Sequence, residues 1–176
     1  MTELRCYREF TILSDPEFPV TTLMNAFFAK LHRAIVNLDE RPAVLFPQYS
    51  KQSLGNRIAV FNCDVMQTDW LRGMRDHVEV SDLRDVPTTG TGTIVRRVRA
   101  KSVERERRRL RKRGLDENKF PLDACKRLEL PYISISSAST QQQFKLFVEQ
   151  QRVNAECRYS GADSYGFSCK TVLPAL

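Results

Sequence analysis

The hydrophobic positions near the start of the chain follow first the period of a strand and then that of a helix. Residues 4–13 have strand character, and the sequence DPEFP then interrupts the pattern. Between Pro19 and Leu38, apolar residues recur at helical spacing, with the proline near the helix start. The apolar stripe consists of Leu23, Phe27, Leu31, Ala34 and Leu38. We therefore expect a strand followed by an amphipathic helix.

Four more elements are predicted before residue 84: two short strands, a second helix and another strand. In this order they cover residues 43–50, 57–63, 64–78 and 77–83. The second helix would begin with Asp64 as its N-cap and would turn Trp70, Leu71 and Met74 inward. The resulting order βαββαβ predicts a ferredoxin-like, RRM-like domain, in which two helices cover one face of a four-stranded antiparallel sheet.

The second half of the chain has fewer regular signals. Residues 86–93 are typical of a linker, and residues 132–137 and 144–150 are typical of two strands separated by a polar loop. The length suits one domain or two small ones. We predict an α+β protein with a ferredoxin-like domain over residues 1–88. A smaller α+β domain with an arginine-rich helix would cover residues 89–176.

Positive charge is concentrated in residues 95–113, VRRVRAKSVERERRRLRKR. This segment has eleven Lys or Arg and two Glu, a charge of +9, whereas the whole chain carries +7. Residues 103–113 have the composition of a helix, but Val103 and Leu110 are too few apolar residues for a helix packed on a core. Such a helix is either solvated or balanced by an external polyanion. The charge density and the dominance of arginine favour nucleic acid, without deciding between DNA and RNA.

Several function classes do not suit this sequence. No apolar run approaches the roughly 18 residues of a membrane span, and the N-terminus has charges where a signal peptide is apolar, so we expect a soluble, cytoplasmic protein. Five widely spaced cysteines and two histidines do not suit a disulfide framework or a metal centre. There is no Gly-rich phosphate loop, G-x-S-x-G motif or acidic cluster, which argues against an NTPase, a serine hydrolase or a two-metal nuclease. We expect no cofactor.

The remaining polar residues suit a metal-free cleavage of RNA. His32 follows Leu31 of the apolar stripe, where a histidine serves either packing or proton transfer, whereas His77 is typical of a capping or surface residue. The loop SSASTQQQF is typical of a turn, but its hydroxyls and Phe144 would also suit a ribose, a phosphate and a base. One histidine, a group that holds the ribose 2′-OH in line and positive charge at the phosphate suffice for such a reaction.

Several segments together resemble one family, the CRISPR-associated endoribonuclease of type I-F systems, which cuts the repeat hairpin of precursor CRISPR RNA. The segments are DPEFP, LMNAFFAKLHRAIV, WLRGMRDHV, RVRAKS with ERERRRLRKR, LPYISISSASTQQQFKLFV and SYGFS. They occur in the family's order and cover nearly the whole chain. The resemblance implies a ferredoxin-like domain followed by a smaller domain, whose arginine-rich helix enters the major groove of the hairpin.

The resemblance also implies roles for individual residues. The catalytic histidine falls on His32, the serine that constrains the ribose on Ser137, and the tyrosine that supports the histidine on Tyr165. Arg97 matches a base-reading arginine, and Phe144 matches the aromatic residue that stacks on the base pair at the foot of the hairpin. The RNA-binding set predicted from charge, spacing and resemblance is Arg97, Arg99, Arg105, Arg108, Arg109, Lys112, Arg113, Ser139, Thr140 and Phe144.

We therefore predict a metal-independent endoribonuclease that cuts at the 3′ base of the CRISPR repeat stem-loop. The resemblance implies that it stays bound to the hairpin as part of a type I-F surveillance complex. Arg99 stands where some relatives have glutamine, which favours a guanine or phosphate contact over an adenine contact. Two alternatives remain: a non-catalytic hairpin-binding subunit in which His32 only packs, and a DNA-binding regulator that uses the basic helix as a groove reader.

Overall fold

The computed structural model of the chain describes residues 3–66, 68–88, 90–99, 103–116, 129–136 and 142–176. Within these ranges the chain forms two antiparallel sheets, two α-helices and three short 3₁₀ turns. The strands are β1 (Cys6–Ile12), β2 (Ala43–Leu45), β3 (Arg57–Phe61), β4 (Val78–Val80), β5 (Arg84–Asp85), β6 (Gly92–Val98), β7 (Tyr132–Ser136), β8 (Gln143–Val153) and β9 (Leu173–Pro174). The helices are α1 (Val20–Ile35) and α2 (Val103–Lys112).

The first sheet has the strand order β2-β3-β1-β4, and β5 also pairs with β1. All of these pairs are antiparallel, and Phe10 of β1 lies between Ile58 of β3 and Val80 of β4. Helix α1 connects β1 to β2, as the ferredoxin-like plan requires. The α+β fold class and the ferredoxin-like character of this part of the chain are thereby confirmed.

Helix α1 begins directly after Pro19, which pre-sets the backbone at its entry. Its inner face packs on β1 and on the segment that follows β3. The rings of Phe10, Phe27 and Trp70 contact one another with centroid separations of 5.2–5.5 Å. The buried residues of α1 are Leu23, Met24, Phe27, Phe28, Leu31 and Ile35. Burial of each such side chain stabilises the fold by about 1.5–3 kcal/mol, which explains why this helix forms at the predicted place.

The prediction of a second α-helix over residues 64–78 is wrong. The segment contains three 3₁₀ turns instead: Cys63–Val65, Thr68–Leu71 and Arg75–His77. Asn62 and Gly73 have positive φ values of 52° and 79°, and Met66 is extended. The extended backbone of Met66 and the positive φ of Gly73 lie inside the segment and interrupt the row of i to i−4 hydrogen bonds that an α-helix needs, so that only short turns remain.

Some side chains of this segment nevertheless face as the helical pattern predicted. Leu71 and Met74 are buried, and Trp70 is half-buried against α1. Asp64 does not cap a helix; its carboxylate accepts a hydrogen bond of 3.1 Å from the Arg5 guanidinium. The pattern therefore predicted burial correctly but not the backbone conformation.

The second sheet has the strand order β7-β8-β6-β9, with antiparallel pairs throughout. The strands β7 and β8 were predicted from sequence, whereas β6 and β9 were not. Strand β6 begins inside the predicted linker and continues into the basic segment. There, the consecutive Arg96 and Arg97 interrupt the alternation of apolar and polar residues that is typical of a strand. Thr93 and Val95 still point inward and are buried, as the strand period of two requires.

Helix α2 lies where the basic composition predicted a helix, and its ten residues end in a Schellman motif. The N–H of Leu115 donates to the carbonyl of Leu110 at 3.0 Å, and the N–H of Gly114 donates to that of Arg111 at 3.1 Å. Gly114 adopts a φ of 68°, which only glycine accommodates without strain. This cap ends the helix and helps it to form with few apolar contacts.

The two sheets share one hydrophobic core. Phe28 of α1, Phe46 after β2 and Phe167 near the C-terminus contact one another with ring separations of 5.8–6.5 Å. The side-chain amide of Gln150 on β8 both donates to and accepts from the backbone of Phe46, at 2.8 and 2.9 Å. The boundary near residue 88 stays a prediction. Among the residues described, no helix combines the length and the hydrophobicity needed to cross a membrane.

Candidate functional site

His32 lies in the last turn of α1 and is half-buried against a loop that comes from near the C-terminus of the chain. Its Nδ1 is 2.7 Å from the backbone oxygen of Ser164. A carbonyl oxygen can only accept, so Nδ1 carries the hydrogen, and in the neutral ring the lone pair lies on Nε2. The ring also stacks on Tyr165, with centroids 4.7 Å apart and planes inclined by 20°. His32 is thus held in one tautomer and one orientation.

The loop that holds His32 is organised by the side chain of Asp163. Its Oδ1 accepts hydrogen bonds from the N–H groups of Tyr165 and Phe167, at 2.8 and 2.9 Å. Gly166 closes the turn with a φ of 81°, and its carbonyl accepts a 2.7 Å bond from Val44 of the edge strand β2. The Ser168 side chain, which is 1% exposed, accepts a 3.0 Å bond from the N–H of Val95 on β6. The loop is therefore fixed to both sheets.

Arg97 of β6 lies beside this loop. The centre of its guanidinium is 5.4 Å from the centroid of the Tyr165 ring and 5.5 Å from that of the Phe144 ring. Both distances are within the range of cation–π contacts. Arg97 is two residues from Val95, which anchors the loop, and strand side chains two apart share a face. The structure therefore brings together four of the predicted residues: His32, Arg97, Phe144 and Tyr165.

The remaining predicted arginines and lysine lie along α2 and at the end of β6. An open groove is lined by Glu106 and by six cations, which are Arg99, Arg105, Arg108, Arg109, Lys112 and Arg113. Arg109 lies 3.7 Å from Glu106; the Arg109 side chain is exposed, and an ion pair with an exposed partner contributes little stability. The groove thus places Arg99 beside the cations of α2. Its dense positive charge suits a polyanion such as a nucleic acid backbone.

Three predicted residues, Ser137, Ser139 and Thr140, lie outside the described residues. Strand β7 ends at Ser136, directly before Ser137, and runs beside α1. The N–H of Ser134 donates to the Asn25 side chain of α1 at 2.9 Å. Asn25 and His32 are seven residues apart, which places them on the same side of the helix. The helix face that carries His32 is therefore also the face that contacts β7.

His77 has a different environment from His32. Its Nδ1 is 3.2 Å from the Asp15 carboxylate, and its ring meets Phe18 edge-on at 6.3 Å. The pKa of Asp15 is lowered, first because its carboxylate accepts a hydrogen bond from the N–H of Glu17, and further through the N–H of Phe18 and through His77. His77 thus packs, half-buried, on the turn before α1.

Sequence reasoning missed three groups that build the site: Asn25, Asp163 and the carbonyl of Ser164. Asp163 and Gly166 have the spacing of a β-turn with Asp first and Gly last, a signal that was available in the sequence. Asn25 and the Ser164 carbonyl had no local signal. In the ranges that the structure describes, no three His, Cys, Asp or Glu side chains lie close enough together to hold a metal ion.

The arrangement combines a proton-transfer group with positive charge. Nε2 of an oriented imidazole can accept or donate a proton, and the nearby guanidinium can bind a phosphate or a base edge. The exposed faces of aromatic rings can stack on bases. Together with the cationic groove of α2, these groups suit a nucleic acid substrate.

Comparisons with known proteins show the family of the chain. The family described as CRISPR-associated protein (Cas_Csy4) matches residues 7–176 of the chain. The CRISPR-associated endonuclease Cas6/Csy4 of Pseudomonas aeruginosa (strain UCBPP-PA14) is 35% identical, over 92% of this chain and 94% of the relative. The protein of the same name from Escherichia coli (strain UTI89 / UPEC) is 31% identical, over 96% of this chain and 97% of the relative. The chain therefore belongs to the Cas_Csy4 family of CRISPR-associated proteins.

Proposed function

We propose that the protein is a metal-independent endoribonuclease that processes precursor CRISPR RNA by cutting at the 3′ base of the repeat stem-loop. Two relatives that align over nearly their whole length are named CRISPR-associated endonucleases. The observation that carries the proposal is the 2.7 Å contact between Nδ1 of His32 and the Ser164 carbonyl, because it leaves Nε2 as the basic atom of the neutral ring.

In the proposed reaction, Nε2 of His32 removes the proton from a ribose 2′-OH. The 2′-oxygen then bonds to the adjacent phosphorus, and the bond from phosphorus to the 5′-oxygen breaks. The leaving 5′-oxygen takes up a proton from solvent, so the products are a 2′,3′-cyclic phosphate and a free 5′-OH. Each step uses only proton transfer, alignment and charge stabilisation.

The other residues have supporting roles in this proposal. Ser137 positions the ribose so that the 2′-OH is in line with the leaving oxygen. Tyr165 keeps the imidazole in its orientation through the stacking contact of 4.7 Å. Phe144 stacks on the base pair at the foot of the stem, and Arg97 contributes charge at the same place. Ser139 and Thr140 contact the RNA nearby.

The cationic groove of α2 binds the hairpin, and its row of positively charged side chains favours tight binding of the stem. Arginine at position 99 supplies a guanine or phosphate contact. Since the contacts are with the stem rather than with the departing strand, the protein stays on the crRNA 3′ hairpin after cutting. The product complex then joins the other subunits of a type I-F surveillance complex in the prokaryotic cytoplasm.

The test is single-turnover cleavage, in EDTA, of the repeat hairpin transcribed from the CRISPR array of the same genome. The RNA carries either ribose or 2′-deoxyribose directly upstream of the cut. The proteins are the wild type, His32→Ala and the matched control His77→Ala. We expect cutting by the wild type and by His77→Ala, only with the 2′-OH, and a cyclic phosphate product. His32→Ala should bind the hairpin with an affinity within about threefold of the wild type and cut at least ~10³-fold more slowly.

Other outcomes support the alternatives. Tight hairpin binding without cutting by the wild type, together with a lower melting temperature for His32→Ala, would indicate a non-catalytic subunit in which the histidine only packs. Equal or tighter binding of duplex DNA at the same salt concentration would indicate a DNA-binding regulator. Cutting that stops in EDTA and resumes with a divalent cation would refute the metal-free mechanism.

A further inference from the structure

His32, Tyr165, Arg97 and Phe144 form one continuous chain of side-chain contacts. The centroid separation is 4.7 Å between His32 and Tyr165, and the Arg97 guanidinium lies 5.4 Å from Tyr165 and 5.5 Å from Phe144. The four residues come from α1, the loop after β8, β6 and β8. Arg97 is therefore the link between the proposed RNA-stacking ring and the pair that contains the proposed base.

Ring contacts, rather than hydrogen bonds, hold the inner part of the Arg97 side chain. Its Nε is buried and makes no hydrogen bond to any residue that the structure describes. The neighbouring Arg96 differs, because it points to the other face of β6, is exposed and binds Glu149 through Nε at 2.6 Å. A guanidinium that is held by two ring contacts can move when a stronger acceptor arrives, such as a phosphate or a guanine edge.

We infer that Arg97 is a positioning residue that transmits the docking of RNA at Phe144 to the His32–Tyr165 pair. This inference rests on the proposed function of His32 as the base and of Phe144 as the stacking residue. In the RNA-free protein the contact with the guanidinium helps to hold the Tyr165 ring in its position against His32. RNA that stacks at Phe144 or pairs with the guanidinium moves Arg97, and Tyr165 and His32 adjust with it. Correct docking of the stem thereby changes the orientation of the catalytic histidine ring.

The RNA-free protein provides a direct readout of this link. The chain has two histidines, so the ring protons of His32 and His77 give a simple NMR spectrum in which His77 is an internal reference. Protons above the face of a stacked aromatic ring are shielded, and Tyr165→Leu gives the His32 shifts without this shielding. Arg97→Met keeps the length of the side chain and removes the planar cation. The matched control is Arg96→Met.

We expect Arg97→Met to move the His32 signals at least halfway toward their Tyr165→Leu positions, while the His77 signals stay in place. Arg96→Met should leave both histidines as in the wild type. Phe144→Leu should shift the His32 signals in the wild-type background but not in the Arg97→Met background. The inference is overturned if Arg97→Met, folded as judged by its His77 signals, has the His32 signals of the wild type.

Cleavage separates the failure of this inference from the failure of the proposed function. At saturating repeat hairpin, we expect Arg97→Met to cut at least tenfold more slowly than the wild type and Arg96→Met to cut at the wild-type rate. Arg97→Lys should not keep the wild-type rate, because an ammonium group does not reproduce the ring contacts of a planar guanidinium. If the wild type cuts and Arg97→Met cuts equally fast, the enzyme assignment holds and the positioning role is wrong. If the wild type itself does not cut, the proposed function is wrong, whatever the NMR result.

Discussion

His32 and Ser164 are 132 residues apart in the sequence and are joined by a hydrogen bond of 2.7 Å from Nδ1 to a backbone oxygen. The bond determines which ring nitrogen is basic, and a backbone oxygen performs this task independently of the side chain at position 164. What the site needs from the loop is therefore its conformation, which the Asp163 carboxylate and the positive φ of Gly166 fix.

The stacking contact of the Tyr165 ring should contribute more than its hydroxyl group to the orientation of His32. Tyr165→Phe keeps the ring and should lower the single-turnover rate by at most about threefold. Tyr165→Leu removes a contact of the kind that contributes about 0.5–1.5 kcal/mol, and should lower the rate by about tenfold. Rates at saturating RNA measure the difference. Equal and large losses in both variants would instead assign the role to the hydroxyl group.

Gly166→Ala should destabilise the protein and misplace Tyr165. A Cβ at Gly166 would lie 2.5 Å from Val44 Cγ2 and 3.1 Å from the Pro42 carbonyl, in addition to the cost of a positive φ. Gly73→Ala is the matched control, because Gly73 also has a positive φ but a Cβ added there would have no neighbour within 4 Å among the described residues. We expect about 1–2 kcal/mol of destabilisation for Gly73→Ala and at least ~1 kcal/mol more for Gly166→Ala, from urea unfolding. Equal losses would mean that the close approach is relieved at no cost.

Removal of cations from the groove of α2 should weaken hairpin binding and lower its dependence on salt. Arg108→Ala and Lys112→Ala should each reduce the slope of log Kd against log salt concentration by roughly 0.9 if each residue neutralises one phosphate. Arg75→Ala removes an exposed arginine that pairs with Asp69 at 3.5 Å, away from the groove, and should leave the slope unchanged. Filter binding at salt concentrations from about 50 to about 300 mM gives the slopes. An unchanged slope in the α2 variants would place the hairpin elsewhere.

The turn before α1 should make stability depend on pH in the acidic range. The pKa of Asp15 is lowered from 3.8, first by the hydrogen bond from the Glu17 N–H, so its carboxylate stabilises the folded state above the unfolded pKa. This stabilisation is lost as the pH falls through the lower, folded pKa. In Asp15→Asn the side-chain oxygen still accepts from the backbone, but the group does not titrate. Urea midpoints between about pH 5 and about pH 3 should therefore fall less steeply for Asp15→Asn than for the wild type.

Helix α1 and most strands could be predicted from sequence because their burial follows a local period. The stripe that contains Leu23, Phe27 and Leu31 is buried as predicted, and α2 lies within the segment whose composition predicted it. The residues between Asp64 and Val78 show the limit of this reasoning. Their apolar spacing is helical, but the extended backbone of Met66 and the positive φ of Gly73 break the segment into short turns.

The sequence by itself determined the hydrophobic faces, the concentration of charge in residues 95–113 and the candidates His32 and Tyr165. Only the tertiary structure decided that the Ser164 carbonyl fixes the tautomer of His32 and that Arg97 contacts both Tyr165 and Phe144. The reason is physical: periodicity reports which face of one element is buried, whereas these contacts join elements that are distant in sequence. Their distances depend on how the two sheets pack together, and no local pattern records that packing.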